Sequence, residues 1–220
     1  MTLGVLGGTF DPIHLGHVAA GVAAQEALSL ESIILVPSRI PPHRIDPVRA
    51  SADHRLAMAQ LAAADRLGWS ASRIELDREG PSYTFDTLVA LQRDVPGTQI
   101  FFIIGTDAFA EIATWSRYPS VLDLAHFVVV SRPGITLDSL RDRVPSAFPS
   151  SALGAGGRDA SAQTRVILVE AHTPDVSSTD IRRRARAGED LTGLVPESVA
   201  HYIRAHRLYL GPQKAQKAQN

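Results

Sequence analysis

The strongest constraint on the fold is a rhythm. Short runs of consecutive apolar residues recur at Leu3–Leu6, Ser32–Val36, Ile100–Ile104, Phe127–Ser131 and Val166–Val169. A strand with one wet face alternates apolar with polar residues. A strand covered on both faces reads as an unbroken apolar run, which is the character of these five. A shorter strand is expected at Arg73–Asp77. Between the runs the spacing turns helical. Leu15, Val18 and Val22 make one stripe, within a helix expected over Leu15–Leu28. Ala52–Leu67 is a second helix, with Ser51 as its N-cap and Gly68 at its end. Phe85, Leu88, Val89 and Gln92 mark a third, which Thr84 is placed to cap and Pro96-Gly97 breaks. Phe109, Ile112 and Ala113 mark a fourth. A helix opening at Ser177 with a possible capping box to Asp180, and one starting at Pro196, complete the series. Strands alternating with helices predict a parallel α/β sheet covered on both faces, with a C-terminal helical segment.

Composition narrows the function. The chain has 220 residues, 45% of them hydrophobic, enough for a sizeable core. A formal net charge of −1 gives no global field for nucleic acid. Cysteine is absent, which removes disulfides, thiolate catalysis and cysteine-based metal sites. No apolar run nears the ~20 residues of a membrane span. The first strand begins by Leu3, which leaves no space for a signal peptide, so a cytoplasmic location is expected. One domain is expected over residues 1–210. Residues 145–164, rich in Pro, Ser, Ala and Gly, read as a surface loop, and 211–220 as a disordered tail.

In a parallel sheet, ligands bind beyond the carboxyl ends of the strands. The segments that follow strands here are Gly7–His17, Pro37–Arg44, Gly105–Asp107 and Ser177–Arg182, and they gather on one edge. The first reads as strand, glycine turn and helix start. Adjacent Gly7 and Gly8 permit positive φ and close approach of a ligand to the backbone. The first amides of a helix have no internal partner and attract anions. His14 and His17 are three apart, so they share a side, and Gly16 keeps that side free of bulk. This suits a polyphosphate. The alternatives are a plain tight turn, two surface histidines, or half of a zinc site, though zinc wants three or four ligands. Ser178 and Arg182, four apart on a helix start, make a second anion cradle. Two cradles on one edge suit a nucleoside triphosphate. His43 and Arg44 project from a Pro-stiffened loop. By position alone, Trp115 reads as packing rather than as a ligand platform.

The chain resembles the bacterial nicotinate-nucleotide adenylyltransferases of the HxGH nucleotidyltransferase family, with a Rossmann-like doubly wound fold. Gly7–His17 matches the opening motif at nearly every position. Gly80–Thr84, Ile103–Asp107, Thr114-Trp115, Ser131–Gly134 and Ser177–Arg182 match in the family's order. Arg44 stands where Lys is common, and Val176 where Ile is frequent. The resemblance covers residues 1–210 except 145–164. It implies that ATP and nicotinate mononucleotide are joined, releasing pyrophosphate. It assigns His14 and His17 to the phosphates near the reacting centre, with backbone amides of Gly8, Thr9 and Phe10. Ser178, Thr179 and Arg182 would hold the β- and γ-phosphates, and His14, His17 and Arg182 are the catalytic candidates. Gly105 and Asp107 would meet adenosine. Trp115 would stack on the pyridine ring, reversing the positional reading, and backbone around Tyr83 and Thr84 would meet the nicotinate carboxylate. His43 and Arg44 would reach phosphates on loop closure. Mg²⁺ is expected to ride on the ATP phosphates, with no protein ligand assigned. Assembly into a homo-oligomer is left open. The rivals are a nucleotidyltransferase for nicotinamide mononucleotide or a phosphopantetheine, a non-catalytic nucleotide-binding module, and a metal-dependent phosphohydrolase.

Overall fold

The computed structural model describes residues 1–42, 47–131, 142, 144 and 166–210. His43, Arg44, Arg132–Gly134, the 145–164 stretch and the 211–220 tail lie outside the described residues. Six strands, β1 (Thr2–Gly8), β2 (Ser32–Pro37), β3 (Trp69–Ala71), β4 (Gln99–Gly105), β5 (His126–Ser131) and β6 (Val166–Glu170), form one sheet in the order β3-β2-β1-β4-β5-β6. Every neighbouring pair is parallel. The helices are α1 (Leu15–Leu28), α2 (Ala52–Ala64), α3 (Thr84–Asp94), α4 (Thr106–Ala110), α5 (Ser178–Ala187) and α6 (Glu197–Ala205).

The unbroken apolar runs do what such runs must, sending alternate residues to opposite covered faces. Leu6, Leu35, Ile103, Val128 and Val130 pack under α1, α2, α5 and α6. Val5, Val36, Phe102, Ile104 and Val129 pack under α3, α4 and the turns carrying Ile112 and Val121. Leu88 and Ile112 are wholly buried, each of a kind worth roughly 1.5–3 kcal/mol on removal from water. No helix among the described residues is long and apolar enough to cross a membrane.

Three local expectations are corrected. The third strand in the chain is Trp69–Ala71, and residues 74–76 within Arg73–Asp77 form a turn. That stretch carries only Ile74 and Leu76 as apolar residues. Its Asp77 amide bonds back to the Arg73 carbonyl, closing a turn in place of a ladder. Thr84 does not cap α3 but is its first residue, behind Tyr83. Neither Gly7 nor Gly8 takes a positive φ, whereas Phe10 does, at 51°. Gly8 is needed for room instead, because a Cβ there would stand 2.8 Å from the Phe10 ring.

Candidate active site

Strand order reverses direction between β1 and β4, and the crossovers leave those two strands on opposite sides of the sheet. A crevice must open where they part, beyond their carboxyl ends. A cleft of about 530 Å³ lies there. Its floor is Gly7, Gly8 and Thr9 from the end of β1, with Ile104 and Gly105 from the end of β4.

His14 and His17 stand together on one wall. Their rings stack with centroids 3.7 Å apart and planes 28° from parallel. His14 precedes α1, and its backbone N–H donates to His17 Nδ1 at 3.3 Å. A neutral imidazole that accepts at Nδ1 carries its proton on Nε2, which is thereby a donor. The Phe10 ring meets His17 edge-on at 5.1 Å and fixes it from beneath. Gly16 permits this crowding, since a Cβ there would sit 3.1 Å from the His14 ring and 3.3 Å from the Pro174 carbonyl.

The opposite wall holds Ser82, Tyr83, Thr84 and Trp115, with Asp107 at the head of α4. Trp115 is half-buried and meets Phe102 edge-on at 6.1 Å. The Tyr83 amide donates to Pro81 O at 3.0 Å. The structure thus brings Gly8, Thr9, His14, His17, Tyr83, Thr84, Gly105, Asp107 and Trp115 to one cleft. Phe10, Ser178, Thr179 and Arg182 are not part of its lining. Instead Ser178 Oγ donates to Pro12 O at 3.0 Å. Arg182 donates to Asp11 O at 2.8 Å and to Thr179 Oγ1 at 3.1 Å. The start of α5 is therefore docked on the turn leading into α1, and Thr173 and Pro174, just ahead of it, do line the cleft.

Sequence reasoning missed several polar groups around this edge. Asp11 is 1% exposed, and its carboxylate accepts the backbone amides of Arg49 at 2.8 Å and Ala50 at 3.0 Å. Arg55 is buried below it. A signal for Arg55 existed, since it falls in phase with Met58, Ala59 and Ala62 on the buried stripe of α2. Glu75 lines the cleft and accepts from Thr87 Oγ1 at 2.6 Å. Burial pushes its carboxyl above the ordinary range, opposed by the Thr87 and Ser82 hydroxyls and by the charge of Arg78. Burial also raises the Tyr209 phenol, and the neighbouring Asp11 carboxylate adds to the rise.

An α/β sheet with this strand order and paired imidazoles at its switch point defines a nucleotide-binding protein. The chain belongs to the cytidylyltransferase-like family, whose model matches residues 5–184. It groups with the nicotinate-nucleotide adenylyltransferases. The probable nicotinate-nucleotide adenylyltransferase of Desulfatibacillum aliphaticivorans is 41% identical, over 96% of this chain and 100% of that one. The probable nicotinate-nucleotide adenylyltransferase of Corynebacterium jeikeium is 38% identical, over 94% of this chain and 100% of that one. The fold is also that of the Plasmodium falciparum nicotinic acid mononucleotide adenylyltransferase complexed with NaAD. That structure has a TM-score of 0.71 at 18% identity, covering 94% of this chain and 97% of its own.

Proposed function

We propose that the chain transfers the adenylyl group of ATP to nicotinate mononucleotide, giving nicotinate adenine dinucleotide and pyrophosphate, a step of NAD synthesis. The observation that carries this reading is the stacked His14–His17 pair on the glycine floor of the switch-point cleft. The relatives' names support the same reaction. The attacking group is an ionised phosphate and needs no general base. Its oxygen bonds to the α-phosphorus as the bond to the pyrophosphate oxygen breaks, so what remains for the enzyme is positioning and charge stabilisation. His14 and His17 donate to oxygens around the α-phosphorus, and the amides of Gly8, Thr9 and Phe10 complete that cradle. Ser178, Thr179 and Arg182 hold the leaving pyrophosphate beside it. Asp107 and Gly105 meet the adenosine.

The acceptor occupies the other wall. Trp115 stacks on the pyridine ring. The Thr84 amide, in the first turn of α3, serves a carboxylate better than a carboxamide. Among the described residues, no group of three or more His, Cys, Asp or Glu could hold a metal ion. Mg²⁺ would ride on the ATP phosphates, where its charge would offset theirs. An end-point assay of pyrophosphate release with ATP, Mg²⁺ and each acceptor in turn tests the reading. Release is expected with nicotinate mononucleotide and weakly with nicotinamide mononucleotide. Preference for a phosphopantetheine, release of orthophosphate without acceptor, or ATP binding without turnover would each replace it.

A further inference from the structure

One buried side chain, absent from the cleft lining, ties together the segments that follow β1 and β2. Arg55 is 2% exposed, beneath the sheet's carboxyl edge. Its Nη1 donates to Thr9 O at 2.8 Å and to Ser38 O at 2.6 Å, and its Nε donates to Ala50 O at 3.3 Å. Those carbonyls lie just past β1, just past β2 and just ahead of α2. Gly8 pairs with Pro37 across the two strands, so the guanidinium sits where both strands end.

We propose that Arg55 is a positioning residue for adenylyl transfer: by holding the Thr9 carbonyl inward it fixes the Gly8-Thr9 turn that floors the nucleotide cleft. The inference rests on the cradle reading given above. A trans peptide is planar, with its C=O and N–H pointing oppositely. The Thr9–Phe10 bond is not among the cis peptides of the described residues. With Thr9 O directed at the buried guanidinium, the plane of the Thr9–Phe10 peptide is set, and with it the backbone of Thr9 on the cleft floor. Phe10 has φ 51°, a left-handed conformation that a side chain disfavours, so this peptide needs an external hold. The hold is anchored at its far end as well. Ala50 gives its carbonyl to Arg55 and its amide to Asp11, which stiffens the segment against which both groups brace. A lysine keeps the charge but not the planar fork that reaches several carbonyls at once.

The test is Arg55→Lys in the full chain, with kcat, both KM values and the melting temperature measured together. The expected result is a kcat lower by about 10- to 100-fold, the order of losing one oriented donor. The KM for nicotinate mononucleotide should stay within about twofold, in a protein that remains folded at the assay temperature. In Arg55→Ala, added methylguanidinium should restore part of kcat, and methylammonium should not. A kcat within about threefold of the unaltered chain overturns the proposal. So does an activity loss that only tracks the unfolded fraction, or rescue by both cations alike. An unaltered chain that releases no pyrophosphate with any acceptor defeats the functional reading instead, and that is seen before any variant is made.

Discussion

The starts of α1 and α5 lie side by side, and both looked like anion cradles in the sequence, yet they are built differently. The first turn of α1 contains no acidic residue. His14 and His17 at that start both line the cleft, while its first amide, that of Leu15, is given to Leu194 O at 2.9 Å. The first turn of α5 carries a cap and a charge of its own. Ser177 Oγ accepts the Asp180 amide at 3.1 Å. Asp180 places a carboxylate at the positive end of the dipole and pairs with Arg183 at 2.8 Å and Arg184 at 2.7 Å. What α5 retains for its neighbour is the edge carrying Ser178 and Arg182, which bond to the backbone of the α1 approach. One helix start turns two imidazoles to the cleft. The other is capped by its own Ser177 and braces the first.

The comparison breaks first at His17. His17→Ala should lower kcat by about 10²–10³-fold, the usual effect of removing one transition-state donor, with little change in melting temperature. Turnover near that of the unaltered chain would mean that the α1 start is not where charge develops. Arg182→Ala should have a smaller effect of a different kind. It removes a guanidinium from the pyrophosphate side and a brace from Asp11 O, so the KM for ATP should rise roughly tenfold, in line with a charged hydrogen bond. The KM for the mononucleotide should move less. Steady-state kinetics with the two orders reversed would put Arg182 on the acceptor side.

Smaller still is Ser177→Ala, which removes the α5 cap and should cost about 0.5–2 kcal/mol of stability. Denaturant titration measures this. Because the cap faces only its own helix, kcat should be unchanged, and a fall in kcat would show that the two helix starts are less separate than their bonding indicates.

The contrast between the two starts was only half legible in the sequence. The sheet was readable because its strands are covered on both faces and carry unbroken apolar runs. β3 was the exception. It has three residues, and its Trp69 gives no periodicity to detect. The cleft was readable through Gly8, His14 and His17, whose types and spacing have a local chemical meaning. Asp11, Arg55 and Glu75 escaped notice because their roles come from long-range contacts. Asp11 reaches residues 38 and 39 positions away, and Arg55 reaches Thr9 across 46. Phe10 escaped for a related reason. The positive φ that two glycines suggested falls on an aromatic residue, where tertiary contacts override local preference. For Arg182 the sequence marked a basic group on this edge of the sheet. It did not indicate that the guanidinium would hold the Asp11 carbonyl.

The smallest expected effect concerns pH and belongs to α5 alone. The hydrogen bonds of Arg184 and Arg183 hold the Asp180 carboxyl below its ordinary range. A carboxyl with a depressed folded pKa stabilises the native state above its unfolded pKa, and that stabilisation is lost as pH falls through the folded pKa. Asp180→Asn should therefore melt slightly below the unaltered chain near neutral pH. The gap should narrow as pH drops below about 4, where an ordinary aspartate begins to take up its proton. Added salt should narrow it too, because the pairs are exposed. The pH dependence of kcat should be unchanged in the variant, since the Asp180 carboxylate bonds to Arg183 and Arg184 on its own helix. If Asp180→Asn shifted the kcat profile, the carboxylate would be felt in the cleft, and the charge of the α5 start would have to be counted with that of the α1 start.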